Sequence, residues 1–386
     1  IKYSLLISLF IYTFTSINFR GIEEYAWVPN MMGILLCFAF VLNLSKIKIE
    51  FNYPLLILFI LVIWNLVSVF PNPEVFRYFI TSSLIFILAF VVYNICVTYP
   101  EATEYIKWAF IISLFIQIWI SNNFIQYTEW GTVDRHKGTM GNANLYSLFI
   151  NIAFIFVLQR IGRPKNILKY LLIFAAISLV VFEIINAGSR KGIIFTILII
   201  LFYYSNSFMR IGNINKIIYI ILGSIFIYQV ATYVMDSKYF YRFFQSFYYE
   251  EVSYVELHRY ALAQDGLRMF YEKPIFGWGA DGFRHFNNID KTYSHMNFME
   301  LLVNYGIIGF MLFYSMYIWF FNKIYNLKND DKNLVISDKY IFLFFLIVTL
   351  VLDLAMVRIF ERIYWIIIAM YLGKIYSEEK IDEAKN

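Results

Sequence analysis

Twelve apolar runs divide the chain. A helix needs ~20 mostly apolar residues to cross a hydrocarbon core. By that measure the pattern predicts spans at 3–19, 27–44, 54–70, 75–97, 104–126, 142–159, 167–185, 192–208, 216–234, 298–321, 339–357 and 360–373. Between the ninth and tenth runs the pattern changes. Residues 235–297 form one long stretch, polar and rich in aromatic side chains. The expected fold is an all-α polytopic membrane protein of about 12 transmembrane helices, with a single integral membrane domain over 1–386 and a long loop at 235–297 between helices 9 and 10.

Composition agrees with the pattern. The 386 residues are 60% hydrophobic and 21% aromatic, with a mean hydropathy of +0.62. Only 15% are charged, where a soluble domain carries about 25%. The two cysteines, Cys37 and Cys96, lie inside apolar runs, so no disulfide framework is expected. The first run begins at once and lacks a small-residue cleavage site, which predicts a retained helix and not a signal peptide.

Charge gives an orientation. With the N-terminus inside, the inner segments hold 17 Lys and Arg and the short outer loops hold 8. The positive-inside rule then puts both termini in the cytoplasm. The segment "QRIGRPKNILK" (159–169) is the clearest inner anchor. Residues 235–297 fall outside. The first part of that loop, 237–257, is dense in Phe and Tyr and suits either the headgroup region or packing among loop helices.

All four histidines, His136, His258, His285 and His295, fall on the expected outer side, and none forms a metal-ligand spacing. Cations gather on the same side. "VDRHKGTMGNANLY" (133–146) carries Arg135 and Lys137 ahead of a glycine-rich turn. "NAGSRKG" (186–192) carries Arg190 and Lys191, and the loop supplies Arg259 and Arg268. Outer cations need anionic partners. A protein carboxylate such as Glu183 for Arg190 is one candidate; a phosphate or pyrophosphate, which suits the planar guanidinium fork, is the other. Arg259 and Arg268 stand nine residues apart, half a turn out of phase on one helix unless Gly266 breaks it. "PIFGWGADGF" (274–283) fits neither a Walker loop nor a dinucleotide fingerprint, and is expected to be a tight turn that redirects the loop toward His295.

Taken in order, "RHKGTMGNAN", "GSRKG", "HRYALAQDGLRMFYEKPIFGWGADGF" and "SHMNFMELLVNYGIIG" resemble the O-antigen ligase and Wzy-type O-antigen (capsular polysaccharide) polymerase superfamily. The resemblance covers residues 133 to 310 by motif and the whole chain by topology. It implies a GT-C-like, inverting, metal-independent glycosyltransferase with no cofactor. Such an enzyme acts on undecaprenyl-pyrophosphate-linked oligosaccharides at the outer face of the bacterial cytoplasmic (inner) membrane. The implied catalytic base is His295. The implied substrate-binding set is Arg190 and Arg259, with Arg135, Lys137, Arg268 and Asn297 beside them. Many members read His-Asn or His-Xaa-Ser-Xaa-Asn where this chain reads His-Met-Asn. Implied partners are the lipid-linked glycan, the bilayer, and the flippase and chain-length regulator proteins of the same pathway, with no nucleic acid. Polymerase and ligase share these motifs. A lipid-linked oligosaccharide flippase is the reading from another class, although no related halves are visible in the sequence. A non-enzymatic assembly factor is a third.

Overall fold

The computed structural model describes residues 2–19, 21–70, 75–123, 135–162, 167–208, 254–326 and 337–385, with Ser224, Tyr228 and Thr232 between. Among the described residues the regular structure is entirely helical. The α-helices are α1 (Lys2–Asn18), α2 (Val28–Leu42), α3 (Tyr53–Val69), α4 (Phe76–Thr98), α5 (Ala102–Asn123), α6 (Ala143–Ile161), α7 (Ile167–Ala187) and α8 (Arg190–Phe208). After them come α9 (Tyr254–Glu272), α10 (Gly282–Phe286), α11 (Asn297–Asn326), α12 (Asp338–Leu352) and α13 (Arg362–Lys385).

Helices therefore stand at eleven of the twelve expected positions, and the run at 216–234 lies outside the described residues apart from Ser224, Tyr228 and Thr232. Six segments among them are long and apolar enough to cross a membrane, including Phe76–Thr98, Ala102–Asn123 and Ala143–Ile161. The chain is a multi-pass helical membrane protein. Its surface says the same. On α2 the side chains of Ile34, Leu35, Phe38, Val41 and Leu42 all face outward, an apolar area that water would penalise and lipid does not. Cys96 is buried in α4 and Cys37 half-buried in α2; both are free thiols.

Helix starts are set locally. The Asn52 side chain caps α3 by accepting from Leu55 N–H at 3.1 Å, with Pro54 in the first turn. Asn142 caps α6 in the same way through Asn144 N–H at 2.8 Å. Both follow the usual preference for a short polar side chain before the first turn.

One expectation needs correction. The apolar run 298–321 is not one straight helix. α11 breaks at Gly306, where φ is 64° and ψ −170°. The break admits another part of the chain: Ile307 N–H donates to Pro274 O at 2.8 Å, and a Cβ at 306 would lie 2.2 Å from Ile275 O. Only glycine tolerates that conformation at that distance.

Polar clusters collect at the two ends of the helices. At one end, α5, α6, α12 and α13 share Lys107, Gln159, Asp338 and Lys374. At the other lie the loops that carry the sequence motifs.

Candidate active site

The glycine-rich turn before α6 is pinned from below. Thr139 N–H donates to Gln117 Oε1 at 2.9 Å, and Gln117 Nε2 donates to Asn18 Oδ1 at 3.0 Å. Arg135 Nε donates to Ala187 O at 2.8 Å, and its Nη2 donates to Gly188 O at 3.2 Å. Arg135 thus closes the C-terminal end of α7, where backbone carbonyls lack helical partners. Lys137 is partly exposed on the same turn.

The "GSRKG" loop sits directly on this turn. Ser189 Oγ donates to Asn144 Oδ1 at 2.9 Å and accepts from Gly192 N–H at 3.2 Å, which caps α8. Asn151 Nδ2 donates to Gly192 O at 3.1 Å. A Cβ on Gly192 would fall 2.6 Å from Ser147 Cβ, so the helices meet at a position where only hydrogen fits. Arg190 is exposed at the start of α8. Glu183, offered above as a partner for Arg190, is buried and engaged elsewhere. It accepts from Asn122 Nδ2 at 2.5 Å and Tyr146 OH at 2.8 Å, and it faces His136 Nδ1 at 3.0 Å. Lys191 turns inward, and its ammonium reaches Ala355 O.

α9 runs unbroken through Gly266. A Cβ at 266 would meet Met299 Sδ at 2.6 Å, so this glycine lets α9 lie against α11. The half-turn offset therefore holds. Arg268 donates through Nε to Asp265 Oδ1 at 2.8 Å and through Nη1 to Glu272, all on its own helix. Arg259 is exposed, and no carboxylate or hydrogen-bond acceptor holds it among the described residues.

The Pro-Gly turn docks on the break in α11. Trp278 N–H donates to Val303 O and Gly279 N–H to Asn304 O, both at 2.8 Å. Phe283 N–H donates to Asn304 Oδ1 at 2.8 Å. The turn thus meets α11 a little way along from the histidine loop.

His295 itself is half-buried, with φ at 63°. A positive φ at a residue other than glycine is uncommon and tends to mark functional positions. Among the described residues only Asp281, also in this region, shares it. The His295 ring lies 4.4 Å from the Tyr293 ring, and the guanidinium of Arg284 lies 5.8 Å from the same Tyr293 ring. Burial, and after it the cations Arg259 and Lys191, push the His295 imidazole down to about 4. Residues from α8, α9 and the 293–296 loop are thus close enough to act on one another, although 68 positions separate Lys191 from Arg259.

Residues 173–314 match a family model described as O-antigen ligase. The resemblance to that superfamily is thereby shown. The O-antigen ligase match takes in Arg190, Arg259, Arg268, His295 and Asn297, and begins after Arg135 and Lys137. No curated protein matches the chain.

The geometry sorts the candidate residues of this matched segment and of the turn before it. His295, Arg259 and Lys191 come together. Arg190 stands at the head of α8 next to Lys191. Arg268 and Arg135 are occupied by protein acceptors. Asn297 is fully buried: its N–H donates to Asp353 O at 2.8 Å, and its Oδ1 accepts from the backbone of Arg358 and Ile359, each at 3.3 Å. In this arrangement it joins the His295 loop to the α12–α13 connection. Two further residues bear on the site: Lys191, an outer cation with no assigned role, and Glu300, not singled out from the sequence. Lys191 was visible as the second cation of "SRKG". Glu300 was visible as a lone carboxylate at the edge of an apolar run, a placement that by itself calls for a reason.

Proposed function

We propose that the chain is an inverting glycosyltransferase that polymerises undecaprenyl-pyrophosphate-linked oligosaccharide repeat units. It works at the outer face of the bacterial cytoplasmic membrane, with about twelve spans, both termini inside and the loop at 235–297 outside. The observation that carries the reading is the cationic environment of His295. A neutral imidazole stands beside Arg259 and Lys191, with Arg190 at the head of the same helix as Lys191.

The chemistry needs two things. The acceptor hydroxyl must lose its proton as it attacks the anomeric carbon, and a base within hydrogen-bond reach takes it. The C–O bond to the lipid pyrophosphate breaks, and the leaving anion needs fixed positive charge. His295 supplies the first, and Arg259, Arg190 and Lys191 the second. The two are coupled. In the free protein burial, and after it the cations, hold His295 neutral but weakly basic. A bound pyrophosphate offsets them and raises the basicity of the imidazole. The base therefore gains strength when the donor is in place. Lys137 lies on the neighbouring turn and extends the positive surface. The reaction as drawn calls for no metal or cofactor.

A ligase that moves a finished glycan to lipid A-core or another acceptor would use the same site. Purified protein given a defined lipid-linked repeat unit separates the two. A polymerase yields a ladder of lengths from that substrate alone. A ligase yields a single product, and only when the second acceptor is added. No transfer under either condition would reject both and leave a flippase or an assembly factor.

A further inference from the structure

The histidine loop is tied directly to one buried carboxylate, and the Pro-Gly turn reaches the same carboxylate through Asn304. Glu300 sits on the first turns of α11, before the break at Gly306, with 3% of its surface exposed. Its Oε1 accepts from Ser294 N–H at 2.7 Å. Its Oε2 accepts from Asn304 Nδ2 at 3.2 Å. Asn304 in turn has its orientation fixed, because its Oδ1 accepts from Phe283 N–H at 2.8 Å. Backbone N–H groups can only donate. Asn304 must therefore present oxygen to Phe283 and nitrogen to Glu300. That leaves both Glu300 oxygens acting as acceptors, one toward the histidine loop and one toward the Asn304 amide that holds the turn, which a carboxylate supplies and a carboxamide does not.

The residue next to Ser294 is His295, whose left-handed backbone needs its surroundings to hold it. Ser294 Oγ bridges that residue by donating to Met296 O at 2.8 Å and accepting from Met296 N–H at 3.2 Å. The Tyr293–Ser294 peptide is tied to Glu300, and the peptide after His295 is tied to the Ser294 hydroxyl. We propose that Glu300 is the positioning residue for His295, holding the imidazole in register with the turn at 274–283. The inference rests on the reading of His295 as the base. Glu300 touches no substrate in this arrangement; it acts through the loop.

The test compares Glu300→Gln and Glu300→Asp with wild type on a lipid-linked donor, in the full-length protein in nanodiscs. A misplacement of about 1 Å can cost ~100-fold in rate. Glu300→Gln, which presents an amide nitrogen to one of two donors, is expected to lower kcat by about 10- to 100-fold and leave the donor KM within about twofold. Glu300→Asp keeps both carboxyl oxygens and withdraws them by one methylene, so its loss should be smaller. If Glu300→Gln does not insert, Glu300→Asp is read by the same kcat-against-KM split. In a His295→Ala background either change should cost little more, because residues acting as one unit are not additive. An unchanged kcat overturns the proposal. So does a donor KM that rises as much as kcat falls, or an equal further loss in the His295→Ala background. If His295→Ala alone keeps full turnover, the base reading fails and the positioning role fails with it. If His295→Ala is crippled and Glu300→Gln is normal, only the positioning role fails.

Discussion

The two polar clusters at opposite ends of the helices are built on opposite terms. At one end Asp338 takes Lys107 Nζ at 2.7 Å, Gln159 Nε2 at 2.8 Å and Lys374, and Lys107 also reaches Glu104 at 3.2 Å. Every charge there has a protein partner. At the other end His295 lies among Arg259, Lys191 and His258, with Asp290 acting in the opposite sense and facing His258 Nε2 at 3.2 Å. Arg259 has no acceptor among the described residues. A compensated cluster joins helices and asks for nothing more. An uncompensated positive cluster beside a neutral base is what an anionic substrate would complete. The pair Arg358–Asp353, both fully buried, shows that this chain can neutralise an arginine near the motif loops when the arginine is structural.

The largest expected effect falls on the uncompensated end. His295→Ala should insert and bind the lipid-linked donor normally, yet lose about 100- to 10,000-fold in turnover. Donor binding and turnover measured side by side check it, and near-normal turnover would make the histidine structural. Asp338→Ala should invert the pattern. It strands Lys107 without its closest partner, which for a buried pair costs about 3–5 kcal/mol of stability, while turnover per folded molecule stays close to wild type. Thermal unfolding in detergent together with specific activity reads both halves.

These contrasts also show how far the sequence alone reaches. Apolar runs place helices well, because each span must satisfy its backbone internally and so advertises itself by length. The half-turn between Arg259 and Arg268 was legible from the same arithmetic, once helix α9 proved continuous. The break at Gly306 was not, because an apolar run reads as one helix whether or not a distant turn wedges into it. The protein contacts of Arg135, Asn297 and Glu183 were not legible for a related reason. Their partners, Ala187 O, Arg358 N–H and Tyr146 OH, are 52, 61 and 37 positions away, and side-chain chemistry does not say which donor or acceptor folding will bring. The aromatic segment at 237–253 lies outside the described residues.

A smaller effect concerns pH. A base acts only when unprotonated, so activity falls as pH drops through the histidine's own value. Burial and neighbouring cations hold that value near 4 in the free protein, below the ordinary 6.5. The acid limb of kcat/KM, which reports the free protein, should therefore lie well below pH 6.5. The limb of kcat, which reports the complex, should lie higher, because bound pyrophosphate favours the imidazolium. Limbs that coincide at 6.5 would remove the electrostatic coupling between Arg259, Lys191 and His295.

The smallest effect is the sharpest test of what separates the two kinds of cluster, because it compares two arginines on one helix. Arg259→Ala removes a charge that the protein leaves unpaired. If that charge meets the donor pyrophosphate, its loss should weaken donor binding by about tenfold to a hundredfold, the scale of a hydrogen bond to a charged group. Turnover should fall further, since the negative charge on the leaving group grows in the transition state. Arg259→Lys should recover only part of both, because an ammonium lacks the two-pronged fork. Arg268→Ala removes a guanidinium already matched by the buried Asp265 and the exposed Glu272. The pair with Glu272 contributes at most about 1 kcal/mol, and Asp265 keeps the N–H of Asn288 at 2.7 Å, so the fold should hold and donor binding should stay within about twofold. The measurement is donor affinity for the three variants in nanodiscs. Equal losses at positions 259 and 268 would mean that pairing within the protein does not mark a structural arginine here, and would return Arg268 to the binding site.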